Sequence, residues 1–390
     1  MPWTVREVRE LGYKIKDETS SKVVVEGSMR DVFKLNLHLR TAQRVLVPLL
    51  RARCLNIREL YSLAYSIDWE NLLEIEGYFS VSGHVFTRSV RDTRLPSLVV
   101  KDAIADRMRD KFGRRPNSGP LNIGAAIYVY WEDDTVLIYL NTTGDPLSRR
   151  GYRRIPGTAP MQETLAASCI KAMGWDGKTP FISPMCGSGT PAIEAAMIAS
   201  KKAPGSLRSH FAFMSLKGWN TNIQGEVAQR VAPRQRFGVS PEQIWKDLVL
   251  ESKENEIKTG LPPIIATDIS PEAIENAMVN AGEAGVENLI KFKACDFAET
   301  SVPELQKGVV FFNPEYGIRL GDPEELAKDY ERIGDFMKNK CEGYTGAVLT
   351  GNAMLSHKVG LRTSARIPFW NGPVECRLLI YKLYSGGESS

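Results

Sequence analysis

Short apolar segments alternate with helical segments from residue 181 onward, and this alternation constrains the fold more than any other feature of the chain. Helices are predicted to begin at Pro191, at Pro271 and near Glu324, each after an apolar segment. Strands separated by helices form a parallel sheet covered on both faces, so this part of the chain is predicted to be α/β. The predicted strands are FISPMCGSG (181–189), IIATDIS (264–270), IKFKACD (290–296), VVFFNPEYG (309–317), GAVLTGN (346–352) and, as an antiparallel edge strand, VECRLLIYKLY (374–384).

The chain before residue 147 has a different pattern, which predicts an α+β arrangement. Residues 78–88 alternate in polarity with period two, as a half-buried strand does, and 127–143 are predicted to form two strands joined by an acidic turn. An amphipathic helix is predicted to end at Phe112, because Gly113 follows it. The other predicted elements are a short strand over 22–26, a helix over 35–50 and, later in the chain, a helical insertion over 201–262.

Composition and cysteine usage exclude several classes of protein. With 390 residues, of which 43% are hydrophobic and 25% charged, the chain has the composition of a folded globular protein of two or three domains. It contains no apolar run approaching the roughly 18 residues that span a bilayer, and residues 1–10 lack the pattern of a signal peptide. The six cysteines form no CxxC pair and the four histidines are not grouped. We therefore expect reduced thiols, a cytoplasmic protein, no membrane association and no metal site.

Positive charge is concentrated in the first part of the chain. Residues 1–154 hold 25 Lys and Arg against 19 Asp and Glu, although the net charge of the whole chain is only +4. This asymmetry indicates a polyanionic partner, since phosphate contacts supply much of the affinity of proteins for nucleic acids. An ordinary solvated surface explains the same charge count equally well.

The turn after the first predicted strand of the sheet consists of small residues. Residues 184–190 have the sequence PMCGSGT, which lets the backbone approach a ligand closely, and the helix that follows offers free N–H groups at its N-terminus. A GxG turn is a weak signal by itself, and this one lacks the third glycine of dinucleotide-binding sites. Cys186 is more typical of a packing residue than of a nucleophile, because no histidine is near it in sequence.

Acidic and amide side chains follow the next three strands, at the sheet edge where ligands bind in open parallel sheets. Asp268 is suited to accept hydrogen bonds from both hydroxyls of a ribose, since Ser270 is the better candidate for the helix cap. Asp296 and Phe297 suit the amino group and the ring of an adenine. Asn313, in the sequence NPEY, offers an amide oxygen that can accept a hydrogen bond from an exocyclic amine.

This ordered set of residues resembles the class I methyltransferases that use S-adenosyl-L-methionine (SAM), and NPEY resembles their NPPY motif. The segments RRGYR (149–153), APMQETLAASCI (159–170), PMCGSGTPAIEAA (184–196) and NPEYGIRLGD (313–322) together resemble the THUMP-containing RNA guanine-N2 methyltransferases. Residues 98–119 are similar to the end of a THUMP module, which in this family binds RNA and follows a small ferredoxin-like domain. The family includes the bacterial enzymes that make N2-methylguanosine in 23S ribosomal RNA.

The resemblance implies a fold, a set of domains and a reaction. We expect a Rossmann-like class I SAM methyltransferase domain preceded by an α+β ferredoxin-like and THUMP RNA-binding region. The implied reaction is SAM-dependent methylation of the exocyclic N2 of guanine in RNA, with 23S ribosomal RNA as the first candidate substrate. Methylation of guanine N2 in tRNA or of adenine N6 in DNA is the alternative. The expected domains are a ferredoxin-like part (1–50), a THUMP module (51–145), a linker (146–160) and a methyltransferase domain (161–390).

Matching the family motifs residue by residue gives the candidate site. Asn313, Pro314 and Tyr316 are the candidate catalytic residues, because the first two would hold the amine and the tyrosine ring would support the base. A surface carboxylate on a helix is the alternative interpretation of Glu163 and of Glu194. The candidate SAM-binding residues are Pro160, Glu163, Ser183, Pro184, Cys186, Gly187, Ser188, Gly189, Thr190, Glu194, Asp268, Ile269, Asp296, Phe297 and Asn313.

Two residues depart from the family pattern. Ser183 stands where the family has Asp or Asn, but its hydroxyl can still form hydrogen bonds. Glu315 stands where the family has a second proline, and it places a carboxylate beside the expected amine site. This second departure leaves open an alternative of another class, a module that binds SAM and RNA without catalysis.

Arginines are the candidate contacts to RNA phosphates. A basic run joins the two expected parts of the chain, and a merely solvated linker is its alternative interpretation. Two further arginines lie in the THUMP-like segment. The candidate RNA-binding residues are Arg149, Arg150, Arg153, Arg154, Arg114 and Arg115.

Aromatic residues also alternate along one predicted strand of the first part. Tyr128, Tyr130 and Trp131 lie within four residues of one another. Such a pattern is more typical of sheet packing than of a platform on which bases stack. We therefore expect these three residues to be structural.

Overall fold

A computed structural model describes residues 2–155, 161–219, 239–304, 307–314 and 323–384. The helices are α1 Pro2–Glu10, α2 Met29–His38, α3 Ile57–Tyr65, α4 Leu95–Phe112, α5 Glu163–Ala172, α6 Thr190–Ala199, α7 Pro241–Glu254, α8 Pro271–Glu283, α9 Pro323–Lys340 and α10 Ala353–Lys358. The strands are β1 Ile15–Glu18, β2 Val23–Val25, β3 Leu46–Arg53, β4 Tyr78–Phe86, β5 Asn117–Ser118, β6 Ala125–Glu132, β7 Thr135–Asn141, β8 Phe181–Pro184, β9 Ile264–Asp268, β10 Ile290–Ala294, β11 Val309–Phe312, β12 Thr345–Thr350, β13 Ala365–Asn371 and β14 Val374–Lys382.

The first unit consists of α1, the β1–β2 hairpin and α2, and the insertion over 201–262 completes its hydrophobic core. The ring of Phe33 in α2 lies 4.6 Å from that of Phe213 and 6.5 Å from that of Trp245 in α7. Helix α7 and short 3₁₀ turns make up the described part of this insertion, and residues 220–238 lie outside the described residues. The insertion therefore joins the first unit to the second half of the chain.

The prediction of a helix over 35–50 is wrong for the second half of that range. Helix α2 ends at His38, and residues 46–53 form β3, which pairs antiparallel with β7. Pro48 lacks the N–H that a helix interior needs, and pairing with a distant strand buries the same apolar residues. The domain boundary expected at residue 50 therefore falls inside a strand.

The second unit is a five-stranded sheet in the order β3-β7-β6-β4-β5. Strand β4 runs parallel to β6, whereas β6 and β3 run antiparallel to β7. Helices α3 and α4 pack on one face of this sheet over a core that includes Ile104, Val129 and Trp131. Helix α4 ends where Gly113 adopts φ +69°, as the sequence predicted.

The third unit is a seven-stranded sheet in the order β10-β9-β8-β11-β12-β14-β13. Its first five strands are parallel, which confirms the predicted α/β architecture. Strand β14 is antiparallel, as predicted, but it lies between β12 and β13 and is not the edge strand. The edge on this side of the sheet is β13, which was not predicted, and a two-residue hairpin turn at Gly372-Pro373 joins it to β14. No helix in the described residues is long and apolar enough to cross a membrane.

Candidate active site

The turn between β8 and α6 has an unusual backbone. Met185, Gly187 and Gly189 have φ of +57°, +54° and +84°, a region that favours glycine. A Cβ at Gly189 would lie 2.9 Å from the Cβ of Ala277, so that position has no room for a side chain. A Cβ at Gly187 would meet no atom of the described residues within 4 Å. The turn is therefore closely packed at one glycine and open at the other, where a ligand can approach the backbone.

Asp268, at the end of β9, is hydrogen-bonded to this turn. Its Oδ2 accepts from the backbone N–H of Gly187 at 2.9 Å, and its Oδ1 accepts from the N–H of Ser270 at 3.0 Å. Ser270 caps α8 with its own hydroxyl, as predicted. A carboxylate has about four acceptor positions, so Asp268 retains the capacity to accept from two ribose hydroxyls. The next side chain, Ile269, is apolar and 74% exposed, which suits contact with a base.

Asn313 follows β11, which lies between β8 and β12 in the parallel sheet. Because the carboxyl ends of parallel strands meet at one edge, Asn313 lies at the same edge as the Gly187 turn. Its Oδ1 is buried and, within the described ranges, has no hydrogen-bond partner. A buried oxygen without a donor costs about 1–3 kcal/mol, and a functional role is one of the reasons for which such a group is retained. This atom is suited to accept a hydrogen bond from a ligand.

Of the other residues predicted around Asn313, the structure describes only one. Pro314 is buried directly after Asn313. Tyr316, Glu315 and Pro160 lie outside the described residues, so their predicted roles remain predictions.

Phe297 does not offer its ring to a ligand. The side chain is 4% exposed, and its ring lies 5.8 Å from that of Phe312 and 6.3 Å from that of Phe336. Arg332 lies over the ring at 4.7 Å and also donates to both carboxylate oxygens of Asp296 at 2.7 Å, which lowers the pKa of Asp296. The prediction of an adenine-facing Phe297 is wrong, because the ring belongs to the core under α9. The carboxylate of Asp296 is already paired.

Arg153 is hydrogen-bonded to the turn between β8 and α6 and does not lie on an exposed surface. Its Nε donates to Glu163 at 2.9 Å, and its terminal nitrogens donate to the hydroxyls of Ser188 at 3.3 Å and Thr190 at 3.0 Å and to the carbonyl of Met161 at 2.7 Å. The arginine side chain is only 16% exposed. The prediction of a phosphate contact for Arg153 is therefore wrong, and so is the alternative interpretation of Glu163 as a surface carboxylate.

Arg150 and Glu194 are paired with each other inside the protein. The guanidinium Nε lies 3.3 Å from the carboxylate, and the side chains are 1% and 0% exposed. The other guanidinium nitrogens donate to the carbonyls of Leu39, Arg40 and Leu147. Burial raises the pKa of Glu194, and the charge of Arg150 opposes that rise. The predictions that Arg150 contacts RNA and that Glu194 contacts SAM are wrong, because neither charged group reaches the surface of a site.

The other predicted RNA contacts are exposed arginines. Arg149 is 72% exposed and pairs with Asp145, and Arg154 pairs with Glu283. Arg114 pairs with Glu76, and the exposed side chain of Arg115 donates to Ser118 at 3.4 Å. Exposed ion pairs of this kind are worth about 0–1 kcal/mol, so exchanging the carboxylate for a phosphate costs little. Contact of these four arginines with RNA remains a prediction.

Three predicted SAM-binding residues support the turn from within the protein. Ser183 and Pro184 are buried in β8 beside β9. Cys186 is buried, its N–H donates to the carbonyl of Thr267 at 2.9 Å, and burial raises the pKa of its thiol. An uncharged, buried thiol is a packing group, in agreement with the sequence interpretation.

Asn280, which was not predicted from the sequence, links the basic run to the turn between β8 and α6. This buried side chain on α8 accepts from the N–H groups of Arg154 and Ile155 and donates to the carbonyls of Ile155 and Ser188, at 2.9–3.2 Å. The signal that could have identified it is a polar residue on a helix face that otherwise carries alanines, at 277 and 281.

A polar cavity beyond β12 was also missed. Its volume is about 190 Å³, and it begins at Thr350, two residues after the pairing of Phe312 with Val348 between β11 and β12. It therefore lies at the carboxyl end of β12, the strand that pairs with β11. The charged and amide side chains that line it are Asn352, Arg366, Glu375 and Arg377.

Comparison with known protein families gives three matches along the chain. The model described as RMKL-like, methyltransferase domain, matches residues 150–380. The RlmL ferredoxin-like domain matches residues 2–46, and the THUMP domain matches residues 54–141. The three matches occur in the order of the three structural units.

Similar proteins cover nearly the whole chain. The chain is 33% identical to "Ribosomal RNA large subunit methyltransferase K/L" of Psychromonas ingrahamii over 97% of its own length, but it spans only 48% of that relative. It is 31% identical to "Putative RNA methyltransferase slr0064" of Synechocystis, over 97% of this chain and 93% of that one.

Solved structures share the fold over the same extent. "SMU.472, a putative methyltransferase complexed with SAH" superposes with a TM-score of 0.80 at 27% identity, over 97% of this chain and 94% of that one. A protein from Listeria monocytogenes titled "predicted N6-adenine-specific DNA methylase" superposes with a TM-score of 0.81 at 30% identity, over 97% and 92% of the two chains.

Proposed function

The chain belongs to the RMKL-like methyltransferase family, with a ferredoxin-like and a THUMP domain before the methyltransferase domain, and on this premise we propose that it methylates the exocyclic N2 of guanine in RNA with SAM as donor. Large-subunit ribosomal RNA is the proposed substrate, because the Psychromonas relative is named for it. The chain spans about half the length of that relative, so the proposal concerns the activity of these three domains alone.

The observation that carries the proposal is the buried Oδ1 of Asn313, which lacks a hydrogen-bond donor among the described residues. The exocyclic amine of guanine supplies such a donor. Its nitrogen is a poor nucleophile, because its lone pair is delocalised into the ring. An acceptor at Asn313, together with the carbonyl of Pro314, holds the N–H groups and favours a nitrogen whose lone pair points at the methyl group.

The SAM-binding assignment rests on the Gly187 turn and Asp268. The open space at Gly187 admits a ligand against the backbone, and the Asp268 carboxylate retains acceptor positions for ribose hydroxyls. Ile269 provides an exposed apolar contact for a base. SAM supplies a methyl group on a sulfonium sulfur, which is electrophilic without help from a metal.

Positioning accounts for the catalysis that this site can provide. Holding two reactants in line is worth roughly 7–11 kcal/mol, so a strong general base is not required. Cys186 cannot serve as one, because its thiol is buried and its pKa is raised. The proton lost from the amine passes to solvent after positive charge has formed on the nitrogen. The target base must leave its stack to reach Asn313, at a cost of a few kcal/mol.

Methyl transfer from labelled SAM tests the proposal and separates its alternatives. The substrates are unmodified large-subunit ribosomal RNA transcripts, total tRNA and genomic DNA, and the modified nucleoside is identified after digestion. We expect label in N2-methylguanosine from ribosomal RNA. Label found only in tRNA or only in DNA adenine would support the corresponding alternative. Binding of SAM and RNA without transfer would support the alternative of a module without catalysis, which the presence of Glu315 in place of the second proline leaves open.

A further inference from the structure

The five-stranded sheet of the THUMP domain carries aromatic side chains on the face opposite its helices. On β6, Val129 and Trp131 are buried against α3 and α4, whereas Tyr128 and Tyr130 are half-buried and belong to the other face. The members of this set, which we call the aromatic face, are His84, Phe86, Tyr128, Tyr130 and Tyr139.

The strand register places these rings side by side. His84 on β4 pairs with Tyr130 on β6, and their ring centroids lie 6.2 Å apart at an interplanar angle of 24°. Tyr128 pairs with Tyr139 on β7. Phe86 lies two residues beyond His84, with a centroid distance of 4.2 Å. The rings therefore form one continuous patch across three strands.

Two members of the patch are exposed to solvent, and the three tyrosines are half-buried. The side chain of Phe86 is 58% exposed, and His84 is exposed beside it. A cleft of about 710 Å³ opens between this end of β4 and the segment that leads into α4. Its lining includes His84, Phe86 and the paired side chains of Asp92 and Arg94. A cleft of this size has room for a nucleotide.

Arginines and carboxylates border the aromatic face. The guanidinium of Arg44 lies 5.6 Å above the ring of Tyr128. Arg51 and Arg53 are exposed on β3, where Arg53 pairs with Asp134. The hydroxyl of Tyr130 donates to the carboxylate of Glu132 at 3.1 Å. Rings at the centre and arginines at the border are the combination with which sheet surfaces bind single-stranded nucleic acid, since bases stack on rings while arginines contact phosphates.

We propose that the aromatic face binds unpaired bases of single-stranded RNA. This inference rests on the proposed function for its ligand class, but it concerns a surface that lies outside the methyltransferase domain. A duplex is not the expected ligand, because the faces of its bases are covered by their neighbours. The proposal gives Tyr128 and Tyr130, which the sequence predicted to be packing residues, a role in binding as well. Trp131 is buried, as predicted.

Binding of an unstructured RNA of about 12 nucleotides, a length within the usual range of single-strand sites, tests this proposal with the whole protein. A 2-aminopurine base in the RNA reports stacking by its fluorescence, and titration gives the affinity. We expect Tyr130→Ala and His84→Ala each to weaken binding by about tenfold, which corresponds to one lost stacking contact. Tyr130→Phe retains the ring and is expected to bind within about twofold of the wild type. Thr135→Ala, on a neighbouring strand, is the matched control without a ring.

Three outcomes would overturn the proposal. They are unchanged affinity in both alanine variants, an equal loss in Tyr130→Phe and Tyr130→Ala, and an equal loss of affinity for a duplex of the same sequence. His84 is exposed, so His84→Ala decides the question if Tyr130→Ala does not fold. Methyl transfer by the wild type is measured separately. Transfer to RNA with unchanged oligonucleotide affinity refutes only the aromatic face, and ring-dependent affinity without any transfer refutes only the proposed function.

Discussion

Arg150 and Glu194 form an ion pair in which both side chains are almost completely buried, at 1% and 0% exposure. Arg150 lies in the segment that follows the THUMP domain, and Glu194 lies on α6. The same arginine donates to the carbonyls of Leu39 and Arg40 in the ferredoxin-like domain. One side chain thus connects the N-terminal domain to the helix that supports the proposed SAM site.

Replacement of Arg150 by Ala is expected to destabilise the protein. Breaking a buried ion pair leaves the carboxylate of Glu194 without its partner, which costs about 3–5 kcal/mol of the free energy of unfolding. Urea denaturation measures this loss. Arg149→Ala is the matched control, because its exposed pair with Asp145 contributes at most about 1 kcal/mol. A stable Arg150→Ala variant whose only defect is weaker RNA binding would contradict the assignment.

Arg153→Ala is expected to weaken SAM binding by about tenfold, because it leaves the buried Glu163 unpaired and frees the hydroxyls of Ser188 and Thr190 at the turn. Arg153→Lys should not restore the affinity, since an ammonium group cannot replace the fork of a guanidinium. Isothermal titration with SAM gives the affinity. The salt dependence of RNA binding should stay unchanged. A flatter salt dependence together with normal SAM affinity would support a contact between Arg153 and RNA phosphate and contradict the role assigned here.

Substitutions of the two glycines in the turn between β8 and α6 are expected to cause different defects. Gly189→Ala places a Cβ 2.9 Å from Ala277, so we expect a clear loss of thermal stability. Gly187→Ala meets no atom of the described chain within 4 Å, so its cost in stability is limited to about 1–2 kcal/mol for the left-handed backbone. Its methyl group enters the space proposed for SAM, so we expect SAM affinity to fall more than stability. Normal SAM affinity in Gly187→Ala would place the cofactor elsewhere.

The order of the strand tips was predictable because it depends on local patterns. Apolar runs ending in small, acidic or amide residues identified the Gly187 turn, Asp268 and Asn313, and the parallel sheet brings such ends to one edge. The hairpin turn at Gly372-Pro373 was equally local, but the strand before it was not predicted.

The partners of charged residues were not predictable, because they depend on long-range packing. Arg150 meets a carboxylate 44 residues away, and Asp296 meets Arg332 from a later helix. A basic run in a connecting segment therefore gave the same signal for Arg149, which is exposed, and for Arg150, which is buried. The buried ring of Phe297 was misassigned for the same reason, since the neighbours that cover it are distant in sequence.

The role of Asn313 in methyl transfer is tested most directly by the Asn313→Ala variant, with methyl transfer and SAM affinity measured on the same preparation. We expect transfer to RNA to be abolished, because the amine loses its acceptor, while SAM affinity stays within a few fold of the wild type. Asp268→Ala is the matched contrast and should lose SAM affinity first. Methyl transfer by Asn313→Ala at the wild-type rate, or a collapse of its SAM affinity, would contradict the role assigned to Asn313.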